Sequence, residues 1–336
     1  MSTSTIPTTH REVHLIARPQ GSLTTEVFEV AEVPVPQPGP GQLLIRNRVM
    51  GVAAVMRTLL DEDSGLPMPS YALRQPMWGE AVGEVVAARG AAGFAPGDLV
   101  YTHAGWREYA VVDAAEATRL EPGVLPDPAA YLSQGPTAYM GVVRGAEVRA
   151  GDTVFISGAA GGVGSLAGQI ARERGAARVI GSTSSPAKAE VLVKELGYDA
   201  VVLRGTGSFE EQLRAAAPDG IDAVFDNVGG EQLQAALELA NRRARVALIG
   251  ALASQLGVSE TRLDTLSLVS RSIQIKALAL FDHLDLIPEW YEFFGRGLRE
   301  GTLRFPHTRL PGIAQAPRAL CELIEGRHIG AVLVDL

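Results

Sequence analysis

Apolar and polar residues alternate over short segments in the first third of the chain. The stretches QLLIRNRV (residues 42–49) and EAVGEVVAA (residues 80–88) both alternate, and FAPGDLVY (residues 94–101) runs from a turn into a third such segment. Alternation with this period is typical of strands that bury one face. The Pro/Gly-rich PVPQPGPGQ supplies a rigid turn before the first of them. Residues 11–130 are therefore predicted to form a β-rich, barrel-like domain, preceded by a disordered tail over residues 1–10.

After about Leu120 the pattern changes, and short apolar runs alternate with segments whose apolar residues recur at helical spacing. The predicted strands are TVFIS, RVIGS, AVVL, DAVFD and RVALIG, and helices are predicted between them. One helix has Ser185 as its N-cap, Pro186 in its first turn and Gly197 after its end. Strands alternating with helices indicate an α/β fold with a doubly wound parallel sheet, here over residues 131–302. The closing HIGAVLVDL alternates again, so residues 303–336 are predicted to pair back with the barrel.

Composition narrows the class of protein. The net charge of −8 argues against nucleic acid and anionic membranes as partners. Cys321 is the single cysteine, so neither an internal disulfide nor a thiolate zinc cage is available, and the six histidines are interpreted as scattered surface or cleft residues. The polar opening lacks the layout of a signal peptide, and charge, Gly or Pro interrupts every apolar run. A cytoplasmic protein without a metal is expected.

A glycine-rich segment follows the strand TVFIS and opens a helix. The dinucleotide fingerprint G-x-G-x-x-G occurs there with Ala159 in the first place, followed by Gly161 and Gly164. Gly161 would let the backbone approach a pyrophosphate, and Gly164 would let the helix pack on the strand. The N–H groups and the dipole at the start of the helix would face the anion.

The end of the next strand distinguishes between the two nicotinamide dinucleotides. A site for NAD normally carries an Asp or Glu there, about 20 residues on, to accept from the ribose 2′-hydroxyl. This chain has GSTSSPAK instead, with no carboxylate. Ser184 or Ser185 would donate to a 2′-phosphate, and Lys188 would supply the charge. The predicted cofactor is NADPH.

Five further segments carry a resemblance to a known family. They are GWREYAVV (residues 105–112), GPTAYMGV (135–142), ISGAAGGVGSLAGQIA (156–171), FDNVGG (225–230) and EGRHIGAVLVDL (325–336). From about Leu43 to its end the chain resembles the zinc-independent medium-chain dehydrogenase/reductase superfamily. Within it, the chain is similar to the branch of leukotriene 12-hydroxydehydrogenase, the prostaglandin reductases and the bacterial curcumin reductases.

The resemblance implies a fold, a reaction and a set of site residues. It implies a GroES-like barrel joined to a Rossmann domain, a homodimer built through the Rossmann sheet edges, and reduction of the carbon–carbon double bond of α,β-unsaturated ketones or aldehydes by NADPH. Hydride adds to the β-carbon, and a proton is supplied at the α-carbon. By matched motif position, the pyrophosphate would lie at Gly161, Gly162, Val163 and Gly164, the 2′-phosphate at Ser184 and Lys188, the adenosine and ribose at Asn227 and Val228, and the nicotinamide near Thr137 and Tyr139. Ala160, Ser182, Arg204 and Gly250 complete the expected cofactor-binding set.

Two departures from the family pattern fall on the substrate side. The tyrosine that borders the substrate is replaced by Val55, and the tyrosine close to the nicotinamide ribose by Leu256. The pocket is therefore predicted to be apolar and to accept an apolar metabolite, and the usual proton donor is missing. The catalytic residue stays unknown, and Tyr71, Tyr139 and His328 are the candidates to inspect.

Three other interpretations stay open. One is an NADPH-quinone reductase of the same superfamily, from which a panel of quinones and enones would distinguish the protein. Another is a protein that binds the cofactor without catalytic turnover, an interpretation that the missing tyrosines leave open. The third is an altered reaction, such as an isomerisation or a cyclisation assisted by the bound cofactor. The sequence determines neither the acceptor nor the stereochemistry of the reaction.

Overall fold

The computed structural model describes residues 6–252 and 261–336, which form two compact units. The first unit, called the barrel unit here, runs to Leu132 and resumes over His307–Leu336. The second, called the nucleotide unit, is Ser133–Pro306. No helix in the described ranges is both long enough and apolar enough to cross a membrane.

The strands and helices follow one another as below. The strands are β1 (Thr9–Leu15), β2 (Phe28–Pro34), β3 (Gln42–Val52), β4 (Ala81–Arg89), β5 (Leu99–Thr102), β6 (Tyr109–Asp113), β7 (Thr118–Arg119), β8 (Thr153–Ile156), β9 (Arg178–Thr183), β10 (Ala200–Leu203), β11 (Ile221–Asp226), β12 (Ala240–Leu248), β13 (Gln274–Ala277), β14 (His307–Pro311) and β15 (Ala331–Asp335). The α-helices are α1 (Val55–Leu59), α2 (Gly135–Met140), α3 (Gly164–Glu173), α4 (Pro186–Glu195), α5 (Phe209–Ala216), α6 (Gly230–Glu238), α7 (Thr265–Arg271), α8 (Ile287–Glu300) and α9 (Ala316–Ile324).

The barrel unit is organised around β3. This long strand pairs antiparallel with β4, β6 and β15, in a sheet of order β14-β15-β3-β4-β5-β7. The return of the last strand to the barrel, predicted from its alternation, is confirmed by the pairing of Leu333 with Gly51. A hairpin of β1 and β2 packs beside this sheet, and its first strand begins at Thr9. The segment expected to be disordered therefore overlaps a strand at Thr9 and His10, because His10 is buried and pairs across to Val33.

The nucleotide unit contains a parallel sheet of six strands in the order β10-β9-β8-β11-β12-β13. Numbered within the unit this is 3-2-1-4-5-6, the order of doubly wound dinucleotide-binding folds. Its central strands are short apolar runs because helices cover both faces, and Phe155, Ile180, Val224 and Val246 are fully buried. The predicted doubly wound parallel sheet is confirmed. The edge strand β13 and the helices α7 and α8 were not among the predicted elements.

The turn between β8 and α3 depends on a close approach of two backbone segments. A Cβ atom on Gly164 would lie 2.5 Å from the carbonyl oxygen of Gly158 and 2.7 Å from Cα of Ala159. The carbonyl of Gly164 in turn accepts a hydrogen bond of 2.7 Å from the buried hydroxyl of Tyr198. Gly161, at the exposed tip of the same turn, differs, since a Cβ there would meet only the Gly158 oxygen, at an ordinary 3.5 Å.

We expect Gly164→Ala to destabilise the nucleotide unit and Gly161→Ala to leave its stability unchanged. The methyl group at residue 164 would have to displace backbone, which costs about 1–3 kcal/mol of the free energy of unfolding. Thermal and denaturant unfolding of the two variants, measured without any ligand, checks this. Equal stability of Gly164→Ala and the parent protein would contradict the packing role.

Candidate functional site

The candidate site lies at the carboxyl ends of the parallel strands, where the strand order reverses between β8 and β11. Ligands of doubly wound sheets bind at such a switch point. The glycine turn, residues 157–164, follows β8 there and runs into the start of α3, and residues 227–229 follow β11. Val163 precedes α3 without a side-chain cap, whereas Ser185 caps α4 and Ser208 caps α5. The start of α3 is therefore open to an anion in the described part of the chain.

Asp226 holds the two loops together. Its buried carboxylate accepts a hydrogen bond of 2.6 Å from Ser157 Oγ and one of 2.8 Å from the Gly229 amide. Ser157 Oγ also accepts from the Asn227 amide at 2.8 Å, and the Asn227 side-chain amide donates to the Ser157 carbonyl. Burial raises the pKa of Asp226, and these hydrogen bonds oppose the rise because they favour the charged form. The loop geometry is thus determined by the protein itself.

Three expected cofactor residues line this junction. Asn227 is oriented by its contacts with Ser157, and Val228 is buried with its side chain facing the turn at Gly158. A Cβ on Gly250 would lie 2.7 Å from the Asn227 carbonyl oxygen, so glycine is required there for packing. Ser182 is also structural, since its buried hydroxyl accepts from the Gly158 amide at 3.0 Å and donates to Gln232 at 2.5 Å.

Two of the expected 2′-phosphate residues, Ser184 and Arg204, lie at the neighbouring ends of β9 and β10. The Arg204 amide donates to the Thr183 carbonyl at 2.9 Å, which places Arg204 beside the residue that follows Thr183, the exposed Ser184. Lys188 lies in the first turn of α4, where Ser185 Oγ accepts from its amide. Burial lowers the pKa of Lys188, a cost that an anion beside it would offset. The donor set of hydroxyls and two cations fits a phosphate.

The glycine turn fits the pyrophosphate of the same cofactor. Ala160 is buried, whereas Gly161 is exposed and Gly162 and Val163 are half-buried. The protein alone leaves room for a side chain at residue 161 and not at residue 164. A glycine that the protein's own packing does not require is consistent with close approach of a ligand.

Thr137 and Tyr139 lie on α2 of the nucleotide unit. Thr137 is half-buried, and Tyr139 packs its ring against Trp290 and Phe293. The Tyr139 hydroxyl donates to Glu289 at 2.6 Å, and burial together with this carboxylate raises the pKa of Tyr139 to about 12. A hydroxyl that donates to a carboxylate and holds its proton this tightly is a poor proton donor.

The barrel unit contains the remaining candidates. Val55 is half-buried and begins α1, and Leu256 lies outside the described residues. Tyr71 is buried in the apolar core and donates to the Trp78 carbonyl at 3.0 Å, and burial raises its pKa. His328 Nε2 lies 3.1 Å from a carboxylate oxygen of Glu322. The Tyr71 arrangement does not favour proton transfer to a substrate.

Sequence reasoning missed Ser157, Asp226 and Gln232, which organise the turn. The signal was present, because Asp226 stands inside FDNVGG directly after an apolar strand. It also missed Glu80, an acid at the start of the apolar stretch that forms β4. In the described ranges, no cluster of three or more His, Cys, Asp or Glu side chains is arranged to hold a metal ion.

Two family models match the chain. One, described as the N-terminal domain of oxidoreductase, covers residues 11–120, and the other, described as zinc-binding dehydrogenase, covers residues 162–295. The putative NADP-dependent oxidoreductase YfmJ of Bacillus subtilis is 31% identical over 335 residues, 97% of each chain. The NADP(+)-dependent 2-alkenal reductase of Nicotiana tabacum is 30% identical over 304 residues, 88% of each chain.

A solved structure supports the same assignment. The crystal structure of CurA from Vibrio vulnificus in complex with NADPH aligns with a TM-score of 0.89 at 29% identity, over 97% of this chain and 98% of that one. The family models, the full-length relatives and this structural match agree with the strand order and the glycine turn. The chain belongs to the medium-chain dehydrogenase/reductase superfamily and is similar to its prostaglandin and curcumin reductases.

Proposed function

We propose that the protein reduces the carbon–carbon double bond of an apolar α,β-unsaturated ketone or aldehyde with NADPH. Two observations support the cofactor choice: the Arg204 amide donates to the Thr183 carbonyl, which joins the ends of β9 and β10, and residues 181–188 contain no Asp or Glu. One relative is named a 2-alkenal reductase, which supports the proposed reaction. The similar structure of CurA is a complex with NADPH, which supports the proposed cofactor. The protein is an NADPH-dependent oxidoreductase.

The chain's own residues bind and orient the cofactor. NADPH, when bound, supplies the hydride that adds to the β-carbon of the acceptor. The turn at Gly161 and the start of α3 would hold the pyrophosphate, and Lys188 and Arg204 the 2′-phosphate. Asp226, through Ser157 and Asn227, keeps the loops after β8 and β11 in position before binding, so that little conformational entropy is lost.

The substrate is proposed to be apolar because of the residues at the substrate side. Val55 stands where the family carries a tyrosine, and it is half-buried in the barrel unit. Leu256 is the second apolar replacement, in the segment outside the described residues. An apolar wall gains binding energy in proportion to the apolar surface it removes from water, which favours long hydrocarbon acceptors over short polar ones.

The reaction is tested by NADPH oxidation with a panel of a long-chain aliphatic enone, crotonaldehyde and menadione. We expect the long enone to have the highest kcat/KM, with the saturated ketone as the product identified by mass spectrometry. Preference for menadione would instead indicate a quinone reductase. Binding of NADPH with no turnover of any acceptor would indicate altered or lost chemistry.

Lys188→Ala should weaken NADPH binding by roughly 10–100-fold and leave NADH binding almost unchanged, since a charge-assisted hydrogen bond contributes about 1.5–3 kcal/mol. The matched control is Lys194→Ala, on the same helix, where the lysine forms an ion pair with Glu190. Titration of each variant with both dinucleotides, by calorimetry, checks the prediction. An equal loss for NADPH and NADH would contradict a 2′-phosphate contact.

We also propose that the protein is a homodimer joined through the nucleotide unit. The strand β13 forms one edge of the parallel sheet. Near it in sequence, Leu266 and Val269 of α7 are about three-quarters exposed, at 78% and 76%. In the described ranges β13 has a strand on one side only, and such an edge together with exposed apolar side chains favours association with a second copy.

Val269→Asp should therefore convert the dimer to a monomer, because an aspartate buried without a partner opposes association. Val193→Asp is the control, since Val193 is an exposed apolar residue on α4 of the same unit. Light scattering coupled to size-exclusion chromatography measures the mass of each variant. A parent protein that is monomeric at micromolar concentration, or a Val269→Asp variant that stays dimeric, would refute this interface.

A further inference from the structure

Glu80 places a carboxyl group inside the barrel unit, directly before β4. Its backbone carbonyl accepts a hydrogen bond of 3.0 Å from the Gly51 amide. Tyr101, on β5, donates from its hydroxyl to Glu80 Oε1 at 2.8 Å. The other oxygen, Oε2, lies 3.8 Å from the position that a Cβ atom would take on Gly51. The carboxyl group therefore lies between the end of β3 and the end of β5.

Leu132 is also close to the same Cβ position on Gly51. Its Cβ atom lies 3.7 Å from that position and its carbonyl oxygen 3.9 Å from it. In the described part of the chain, Tyr101 and His103 are the titratable groups that bear on the charge of Glu80, and no Arg or Lys is among them. His103 is exposed, and its ring meets the Tyr101 ring edge-on with centroids 5.3 Å apart.

An acid in this environment can both hold and release a proton. Burial raises the pKa of Glu80, so the carboxyl group keeps its proton at a higher pH than an ordinary glutamate. The Tyr101 hydrogen bond and His103 lower the same pKa, because both favour the carboxylate.

The carboxyl group lies against the segment proposed to border the substrate. Gly51 is the first residue of GVAAVMR (residues 51–57), in which Val55 replaces the family tyrosine. Gly51 has no side chain to separate the carboxyl group from this segment, and Oε2 lies 3.8 Å from the position that a Cβ atom would take there. The reaction needs a proton at the α-carbon, and neither Tyr71 nor Tyr139 has a hydroxyl arranged to supply one.

We propose that Glu80 is the proton donor of the reductase reaction, with Tyr101 as the residue that positions it. This assignment rests on the proposed function. Hydride addition to the β-carbon leaves an enolate, and the O–H bond of the Glu80 carboxyl group breaks as a C–H bond forms at the α-carbon. The electron pair of the O–H bond stays on the carboxylate, which Tyr101 stabilises through its hydrogen bond. A proton from water, on the side where His103 is exposed, restores the acid.

Glu80→Gln tests this directly, because the amide keeps an acceptor for Tyr101 but has no acidic proton. With the long-chain enone and saturating NADPH, kcat should fall about 10²-fold or more, the usual contribution of a positioned acid. KM for the enone and the affinity for NADPH should change only a few-fold. Glu84→Gln is the matched control, since Glu84 lies on the same strand and pairs with Arg48.

The pH profile separates proton donation from a structural role. In the parent protein kcat should fall as pH rises through the pKa of Glu80, and this limb should be absent from Glu80→Gln. Tyr101→Phe removes a hydrogen bond that lowers the Glu80 pKa, so its limb should move to higher pH. Infrared difference spectra of the free protein should contain a protonated carboxyl band that Glu80→Gln lacks.

The outcomes distinguish this assignment from the proposed function. An active parent protein together with a Glu80→Gln variant of similar kcat and pH profile would overturn the assignment alone. A loss of activity accompanied by a lower unfolding temperature, weaker NADPH binding and an unchanged pH profile would also overturn it, in favour of a structural role. A parent protein inactive on every enone would refute the proposed function and this assignment with it.

Discussion

The nucleotide unit depends on one buried carboxylate. Asp226 stands at the end of β11 in a position shielded from water, where an ionised side chain is costly unless hydrogen bonds satisfy it. Ser157 from the end of β8 and Gly229 before α6 provide those bonds, while the Asp226 carbonyl accepts from Ile249 and Gly250 after β12. One residue thereby ties the ends of three neighbouring strands together. The anion-facing turn lies on this junction, so its shape is fixed by hydrogen bonds rather than by the ligand.

The close approach at Gly164 completes that constraint. The first turn of α3 lies against the backbone of Gly158 and Ala159, and the Tyr198 hydroxyl donates a hydrogen bond to the Gly164 carbonyl. The helix must therefore begin at one place relative to β8, which aims its N-terminus at the space above the switch point. Gly161 is the exposed glycine of the turn, and the packing of the protein leaves room for a side chain there. The absence of a side chain therefore matters more for ligand binding than for the fold.

The periodic elements could be predicted because their burial is periodic. The strands β8 to β11 were predicted almost to the residue, since a parallel strand covered on both faces leaves a run of apolar letters. The edge strand β13 was not, because QIKA is short and half exposed. The roles of Ser157, Asp226 and Ser182 could not be predicted either. A polar residue at a strand end looks alike in sequence whether it contacts a ligand or satisfies a neighbouring backbone.

The same ambiguity explains why the sequence did not indicate a role for Glu80. A carboxyl group in place of a tyrosine as the proton donor also changes the chemistry of the site. EAVGEVVAA contains two glutamates, and alternation alone assigns both to a solvated face. Glu84 is paired with Arg48, whereas Glu80 accepts a hydrogen bond from Tyr101 and lies near Gly51 and Leu132.

A tyrosine donor with a pKa near 10 stays protonated throughout the physiological range, but a carboxyl group does so only if its environment opposes ionisation. A carboxyl donor must therefore be kept away from cations, and the described part of the barrel places no Arg or Lys among the groups that bear on Glu80. In a site with apolar walls, one buried carboxylic acid would be a proton donor whose pKa is set by its surroundings. The rate of the reaction would then depend on pH.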